Sequence, residues 1–546
     1  MDNRDTRATW YFHDGTKHPF GYLFDPAHRW DFRERPSLAK RYPHLERISL
    51  PLDLAPRGVS ALQAIREIVP PPTSGGRVRA SHSFGRESVA SGTPGSGARE
   101  EERIPDLDAV ARILFLSGGI TKYLEYPPPW GRIAFRAAAC TGALYHIELY
   151  VVCADLPGLA AGVYHFNPEE NALARLRAGD YRRILVEASG NEPSVGQAPA
   201  ILVATSVIGR NAAKYQARAY RHAFWDSGTV LANTLASAGA HRLPARVVLG
   251  FVDEIVGRLL DLDPRCELPL ELVPLGAAPG TAIPPAPPLA PLNVAAEGVP
   301  EYQRRFPAIR EMHEASSLQD AAQVASWRGA PPQRSLPAPT GRLVSLEPLA
   351  EGEPGGEPLE TVIIRRGSTR RFAREAITFR QLSTALSCAM QPVPADFLEP
   401  PVSPLNDVYL IVNAVEGLAP GAYVLHCDRW ALELLRAGEF RAQARHLALD
   451  QELAGDASVA IFFLAGLTPI LERFGNRGYR AAQLEAAIGA GRLYLAAYAL
   501  RCGATGLTFY DDDVTAFFSP HAQGKSVMFL IALGRPARRH RPAAGS

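Results

Sequence analysis

The chain carries a second copy of itself, and this duplication restricts its architecture more than any other feature. Residues 158–182 read GLAAGVYHFNPEENALARLRAGDYR, and residues 417–441 read GLAPGAYVLHCDRWALELLRAGEFR. They share 12 of 25 positions at an offset of 259. The same offset returns where residues 214–221, KYQARAYR, lie over residues 473–480, RFGNRGYR. A constant register over that distance marks a repeated unit rather than two similar turns in an Ala/Leu/Arg-rich chain. Two units must therefore fold alike, and each must bury the same apolar faces.

The pattern inside each copy is the same. An apolar or alternating strand comes first, at residues 147–153 (IELYVVC) and 408–412 (VYLIV). A Gly-containing turn leads to a second strand, at 162–166 or 421–425, and an LRAG segment precedes a helix. A buried strand follows, at 200–205 (AILVAT) or 459–464 (VAIFFL), and then a long Ala/Leu-rich helix beginning near Tyr215 or Phe474. Strands joined by hairpin-like turns and flanked by long helices predict an α+β fold, not a doubly wound sheet. No glycine-rich phosphate loop follows a strand. The expected layout is an N-terminal segment (1–60), a first domain (61–276) with a disordered insertion at about 70–102, a linker (277–345) and a second domain (346–546). The linker is assigned from its Pro-rich stretches at 277–300 and 331–340.

Composition narrows the function. Hydrophobic residues make up 47% and charged residues 21%, as in a folded chain. A net charge of +2 gives no electrostatic case for nucleic acid or an acidic membrane. No apolar run reaches the ~18–20 residues of a membrane span. The N-terminus is polar, so a cytoplasmic location is expected. Six cysteines without a CxxC pair argue for reduced thiols, with no disulfide framework or zinc site.

Two places could hold chemistry. In the second copy, Arg366, Ser368 and Arg370 alternate along an extended segment, so their side chains face one way. Two guanidinium groups and a hydroxyl suit a phosphate, although short arginine clusters are commonly solvated turns. Arg535 and Arg538, just past a terminal apolar strand, could complete such a site or belong to a basic tail. The run Asp511–Asp513 reads as a solvated turn, because neighbouring Asp side chains diverge.

Arg366-x-Ser368-x-Arg370 with Phe372 resembles the opening motif of nitroreductase-fold FMN enzymes, and Gly534-Arg535-Pro536 with Arg538 resembles their closing motif. Residues 136–150, RAAACTGALYHIELY, resemble that family's RxxPSxGxxYPxELY loop, with Ala139 and Cys140 in place of Pro and Ser. Residues 12–19, FHDGTKHP, resemble a signature of the SagB/thiazoline-oxidase-type dehydrogenases, and residues 251–276 resemble the end of their domain. The resemblance implies two tandem nitroreductase-like domains, each a mixed or antiparallel sheet flanked by helices, forming an internal pseudo-dimer. It implies FMN bound between the copies. Arg366, Ser368, Arg370, Arg535 and Arg538 would hold the phosphate. Cys140, Thr141 and Gly142 would form the facing loop, and Gly503, Thr505 and Gly506 would back the ring. Lys214 and Tyr215 match a Lys-Tyr pair that this family uses in azoline dehydrogenation, Lys214 as base and Tyr215 as relay or donor.

The losses of the two copies are complementary. Residues 61–70 of the first lack R-x-S-x-R, and residues 398–409 of the second lack the PSxG loop. One composite FMN site per chain is expected. The resemblance implies oxidation of azolines to azoles in a ribosomally made peptide. It also implies a peptide or small-molecule substrate, a cyclodehydratase complex as partner, and a monomer or homo-oligomer. An NAD(P)H-dependent nitro- or quinone reductase, and a non-catalytic scaffold, are the competing readings.

Overall fold

The computed structural model describes residues 2–19, 21–31, 36–69, 102–127, 131–292, 294–302, 305–333, 336–350, 353, 356–399 and 403–537. The expected insertion therefore lies almost wholly outside the described residues. The first main sheet has six strands in the order Arg47–Ser49, Ala172–Ala178, Gly162–Asn167, Ile147–Cys153, Ala200–Ser206, Leu268–Leu275, with every neighbouring pair antiparallel. The second has seven, in the order Gly503–Leu507, Ser526–Gly534, Val459–Ala465, Asn406–Val412, Gly421–His426, Ala431–Ala437, Leu343–Ser345, also antiparallel. The central strands are buried at every position, which is why they read as continuous apolar runs and not as alternation.

The repeat is visible in backbone detail. A β-bulge falls between Val163 and Tyr164 in one sheet and between Ala422 and Tyr423, the positions 259 later, in the other. A bulge re-aims the side chains that follow it. Both tyrosines use it alike: Tyr164 Oη donates to Ala160 O (2.8 Å) and Tyr423 Oη to Ala419 O (2.7 Å).

Between the sheets, the helices Ala219–Ala240 and Arg477–Ala499 pack against each other and are buried on nearly all sides. Small residues make the close crossing possible. A Cβ on Gly228 would lie 2.5 Å from Ala487 Cβ, and one on Gly491 would lie 2.6 Å from Ala232 Cβ. The two copies thus form the internal pseudo-dimer that the duplication implies.

A reciprocal ionic clamp locks the seam. Arg218 and Arg221 of the first copy reach Asp511 of the second, at 3.0 and 2.6 Å. Arg477 and Arg480 of the second reach Asp253 of the first, at 2.6 and 2.7 Å. Each aspartate opens a helix, Asp511–Phe518 or Asp253–Leu260, where backbone N–H groups favour a negative charge. Asp511 is 3% exposed, so the expected solvated turn is instead a buried ion-pair centre. Only Asp512 and Asp513 face solvent, near Lys17 (2.9 Å) and His446 (3.1 Å).

The clamp also shows that the duplication starts earlier than the repeat suggests. Arg221 donates to Thr16 Oγ1 (2.9 Å) and His13 O (2.6 Å), while Arg480 donates to Ser316 Oγ (2.8 Å) and His313 O (2.9 Å). The helices Arg7–Gly15 and Pro307–Ala315 are therefore counterparts, and they pack on each other. The expected linker is folded here: Ile309, Met312 and Trp327 are buried, and a second helix spans Ala321–Trp327. Its Pro-rich composition obscured a short amphipathic pattern. His13 and Thr16 of the N-terminal motif thereby gain a structural role in the clamp.

One core carboxyl sets a pH dependence. Glu271 lies in strand Leu268–Leu275 and accepts from Ser227 Oγ (2.6 Å). Burial pushes its carboxyl from 4.5 up to about 8, with Ser227 and two distant arginines opposing. An acid raised in the folded state costs stability above its unfolded pKa, and the cost grows until pH passes the folded value. This contribution should fall as pH rises from about 4.5 to about 8. Glu271→Gln should remove it, so the difference in Tm between variant and wild type should widen with pH. A constant difference across that range would refute the assignment.

Candidate functional site

The seam brings together residues that lie far apart in the chain. On the first-copy side, Asp226 of helix Ala219–Ala240 organises the loop after strand Gly131–Arg136. Its carboxylate accepts from Thr141 N (2.9 Å), Thr141 Oγ1 (2.8 Å) and Cys140 Sγ (3.0 Å), and lies 2.8 Å from His146 Nε2. Burial and the nearby Asp226 carboxylate push the Cys140 thiol well up, so it stays protonated. Cys140 and Thr141 thus spend their side chains on Asp226. Gly142 takes φ +63°, and a Cβ there would lie 2.7 Å from the Tyr215 hydroxyl. Only glycine satisfies both conditions.

Lys214 and Tyr215 end the helix Gly209–Tyr215. Tyr215 stacks edge-on to His222 (4.7 Å), His222 lies against Trp225 (4.9 Å), and Trp225 against Phe509 of the second copy (5.6 Å). Burial pushes the Tyr215 phenol well above its usual range, Asp226 and Cys140 add to this, and Arg370 of the second copy opposes it. At neutral pH Tyr215 is therefore a proton donor, not a base. Lys214 Nζ stands 4.9 Å from the Trp30 ring and 5.0 Å from the Tyr215 ring.

The turn after Tyr215 is strained. Gln216 has φ +52° and ψ −140°, a region essentially reserved for glycine. Gly475 occupies the matching position with φ +64° and ψ −159°. Gln216 tolerates this because its amide clamps Asp25: Oε1 accepts Asp25 N (2.7 Å) and Nε2 donates to Asp25 O (3.2 Å). His28 Nε2 lies 2.8 Å from Ala213 O. These contacts hold the strap that carries Trp30 over Lys214.

The second copy supplies the other wall. Arg366 is buried and donates to Ala137 O (2.9 Å) and Arg136 O (3.2 Å) of the first copy. Its own carbonyl accepts Lys122 Nζ (2.9 Å). Two of its donors therefore join the copies. Ser368 Oγ lies 3.2 Å from Tyr494 Oη, which accepts Gly506 N (2.6 Å). Thr369 N donates to Ala504 O (2.9 Å), so the arginine motif runs beside strand Gly503–Leu507, which also carries Thr505. Arg370 is exposed and makes no ion pair among the described residues. Arg535 is exposed and donates Nε to Ala376 O (2.8 Å). Arg538 lies outside the described residues.

The reciprocal position is closed. Phe474, which matches Tyr215, is buried against Trp327 (5.2 Å), whose Nε1 donates to Phe474 O (2.9 Å). Arg473, which matches Lys214, donates to the carbonyls of Ala330, Trp327 and Arg328. The Asp396 carboxylate takes Leu249 N (2.9 Å) and Gly250 N (2.8 Å), backbone just after Val248, whose pairing with Leu272 mirrors that of Leu507 with Leu530.

The nitroreductase family model matches residues 363–535. This segment is a nitroreductase-family domain. The likeness extends to the whole chain in one solved structure, a nitroreductase from Anabaena variabilis. It is 25% identical, with a TM-score of 0.71 over 97% of this chain and 99% of its own. Both copies therefore have the nitroreductase fold. A nitroreductase of Methanocaldococcus jannaschii is 26% identical over 170 residues, 31% of this chain and 80% of its own length. The microcin B17-processing protein McbC of Escherichia coli is 29% identical over 134 residues, 24% of this chain and 49% of its own. The chain thus spans about half of McbC. The family and these relatives support an oxidoreductase. Among the described residues, no helix is long and apolar enough to cross a membrane.

Asp226, Lys122, Tyr494, Trp327 and Asp396 escaped sequence reasoning. Asp226 alone left a signal. At the repeat offset stands Glu485, which accepts Leu405 N (2.9 Å) and Asn406 N (3.0 Å) and so holds the corresponding loop of its own copy.

Proposed function

We propose that the chain is an FMN-dependent dehydrogenase that oxidises azoline rings to azoles in a ribosomally made peptide, with one composite FMN site per chain. The observation that carries this reading is the asymmetry of the seam. First-copy Tyr215, packed on Gly142, faces second-copy Arg370, whereas Trp327 fills the position against Phe474, the counterpart of Tyr215. McbC, as a microcin B17-processing protein, supports a peptide substrate. A cyclodehydratase partner is part of the same proposal.

The residues present fit FMN. Arg370 is exposed and without an ion pair among the described residues, as a phosphate-binding guanidinium must be. Gly506 gives a flat strand surface, and Thr508 Oγ1 is buried without a hydrogen-bond partner among the described residues. FMN, when bound, supplies the two-electron acceptor. The chain supplies proton handling: Lys214 accepts a ring-carbon proton as its neutral amine, and the protonated Tyr215 donates a hydrogen bond to the ring heteroatom or its carbonyl.

Purified full-length protein tests this directly. About one FMN per chain is expected, together with conversion of a thiazoline peptide to the thiazole. Two FMN per chain would overturn the single site. NAD(P)H-driven nitro or quinone reduction without azoline oxidation would replace the activity. A colourless chain that cannot be reconstituted would sink both enzyme readings.

A further inference from the structure

Among the described residues, the copies differ where the first runs from its helix Leu107–Gly118 to strand Ile147–Cys153. Residues 119–146 include a two-stranded hairpin, Ile120–Tyr126 paired with Gly131–Arg136. The second copy bridges the same elements, Phe379–Ala389 and Asn406–Val412, with the shorter stretch 390–405, and no hairpin among its described residues. Among the described residues the ribbon occurs in the copy that contributes Tyr215 and the Asp226 loop and not in the other.

Its outer half is unusually apolar for an exposed element. Tyr123, Leu124 and Tyr126 are 45%, 36% and 41% exposed and alternate over both faces. Arg132 lies 3.9 Å over the Tyr123 ring and holds it in place. An isolated two-stranded ribbon is marginal in water, and large apolar side chains exposed on both of its faces call for a cover. Among the described residues the sheet has two strands, so each strand keeps one edge without a strand partner there. The ribbon's inner end enters the site itself: Lys122 Nζ holds Arg366 O, and the carbonyls of Arg136 and Ala137 hold the Arg366 guanidinium.

We propose that this hairpin is the docking surface for the peptide substrate, which lies extended along an open strand edge with apolar side chains against Tyr123, Leu124 and Tyr126, and so feeds the seam. Backbone pairing would give register, and the aromatic side chains would give affinity without demanding a sequence. The ribbon's continuity with Arg366 selects an extended chain rather than a second copy of the protein as occupant. The proposal rests on the reading of the chain as a peptide-modifying enzyme.

The test uses the FMN-loaded full chain, a fluorescein-labelled peptide of alternating Leu and Ser bearing one thiazoline, and a free 2-phenylthiazoline ester. In Tyr123→Ser/Leu124→Ser/Tyr126→Ser, Kd and KM for the peptide should rise at least ~10-fold, while kcat, FMN content and the rate on the free thiazoline stay as in wild type. Unchanged peptide affinity overturns the proposal. So does a wild type that binds no peptide, or a wild-type dimer that the triple variant splits. If the wild type binds peptide through the hairpin but oxidises neither probe, the proposed activity fails and the docking surface stands. Should the triple variant lose its fold, Tyr126→Ser alone carries the same comparison.

Discussion

Lys214→Ala is expected to slow azoline oxidation by ~10²–10⁴-fold while the protein keeps its FMN. The reasoning is one of protonation states. Tyr215 is held protonated by burial and by the carboxylate of Asp226, so it cannot take the proton that leaves the ring. Lys214 is the neighbouring group able to do so, and only as its neutral amine. The wild-type rate should therefore climb with pH until the amine is neutral, and the alanine variant should lose that dependence. Tyr215→Phe should lower the rate without moving the pH profile. Steady-state rates on a thiazoline peptide across pH, with flavin absorbance as the control, check all three. A Lys214→Ala enzyme with an unchanged rate would sink the base assignment.

Asp511→Ala should cost about 3–5 kcal/mol, because it leaves two buried guanidinium groups without their counter-charge. Arg218 and Arg221 are both within 3.0 Å of this carboxylate and are fully buried. Asp253→Ala should cost a similar amount, since Arg477 and Arg480 face it in the same way. The equivalence of the two variants tests the pseudo-symmetry, and thermal unfolding reads it. A loss below about 1 kcal/mol in either would mean that the clamp merely breaks even against desolvation. The pH sign follows from the carboxyl. Asp253 is lowered from 3.8 to about 2, with burial opposing and Arg477 and Arg480 dominating the fall. A depressed carboxyl contributes stability above its unfolded pKa and loses it as pH falls towards the folded value. Acid should thus open the seam between about pH 4 and 2.

Much of this was legible in residue order. The repeat announced two like domains, and the buried strands announced themselves as apolar runs. Arg366 of the arginine motif donates across the seam to Arg136 O and Ala137 O, just ahead of the Gly142 loop. Other parts left no local trace. Trp327 sits in a short helix between Pro-rich stretches, and nothing nearby says that its ring fills the position opposite Phe474. Asp396 gives no hint that it covers the N–H groups of Leu249 and Gly250. The segments KYQARAYR and RFGNRGYR marked the repeat, yet nothing in them showed that their last two arginines serve the clamp in both copies. Their partners, Asp511 and Asp253, lie hundreds of residues away, beyond any periodicity.

By itself, then, the sequence determined the duplication, the α+β class and the division of motifs between the copies. These follow from hydrophobic period and residue type, which act over a few residues. Only the tertiary structure decided how the two halves of the seam are covered. That outcome depends on which side chain fills a space between distant segments, Trp327 against Phe474 on one side and Trp30 over Lys214 on the other. Packing across a seam is set by shape and burial in three dimensions, and neither is written in the order of neighbouring residues.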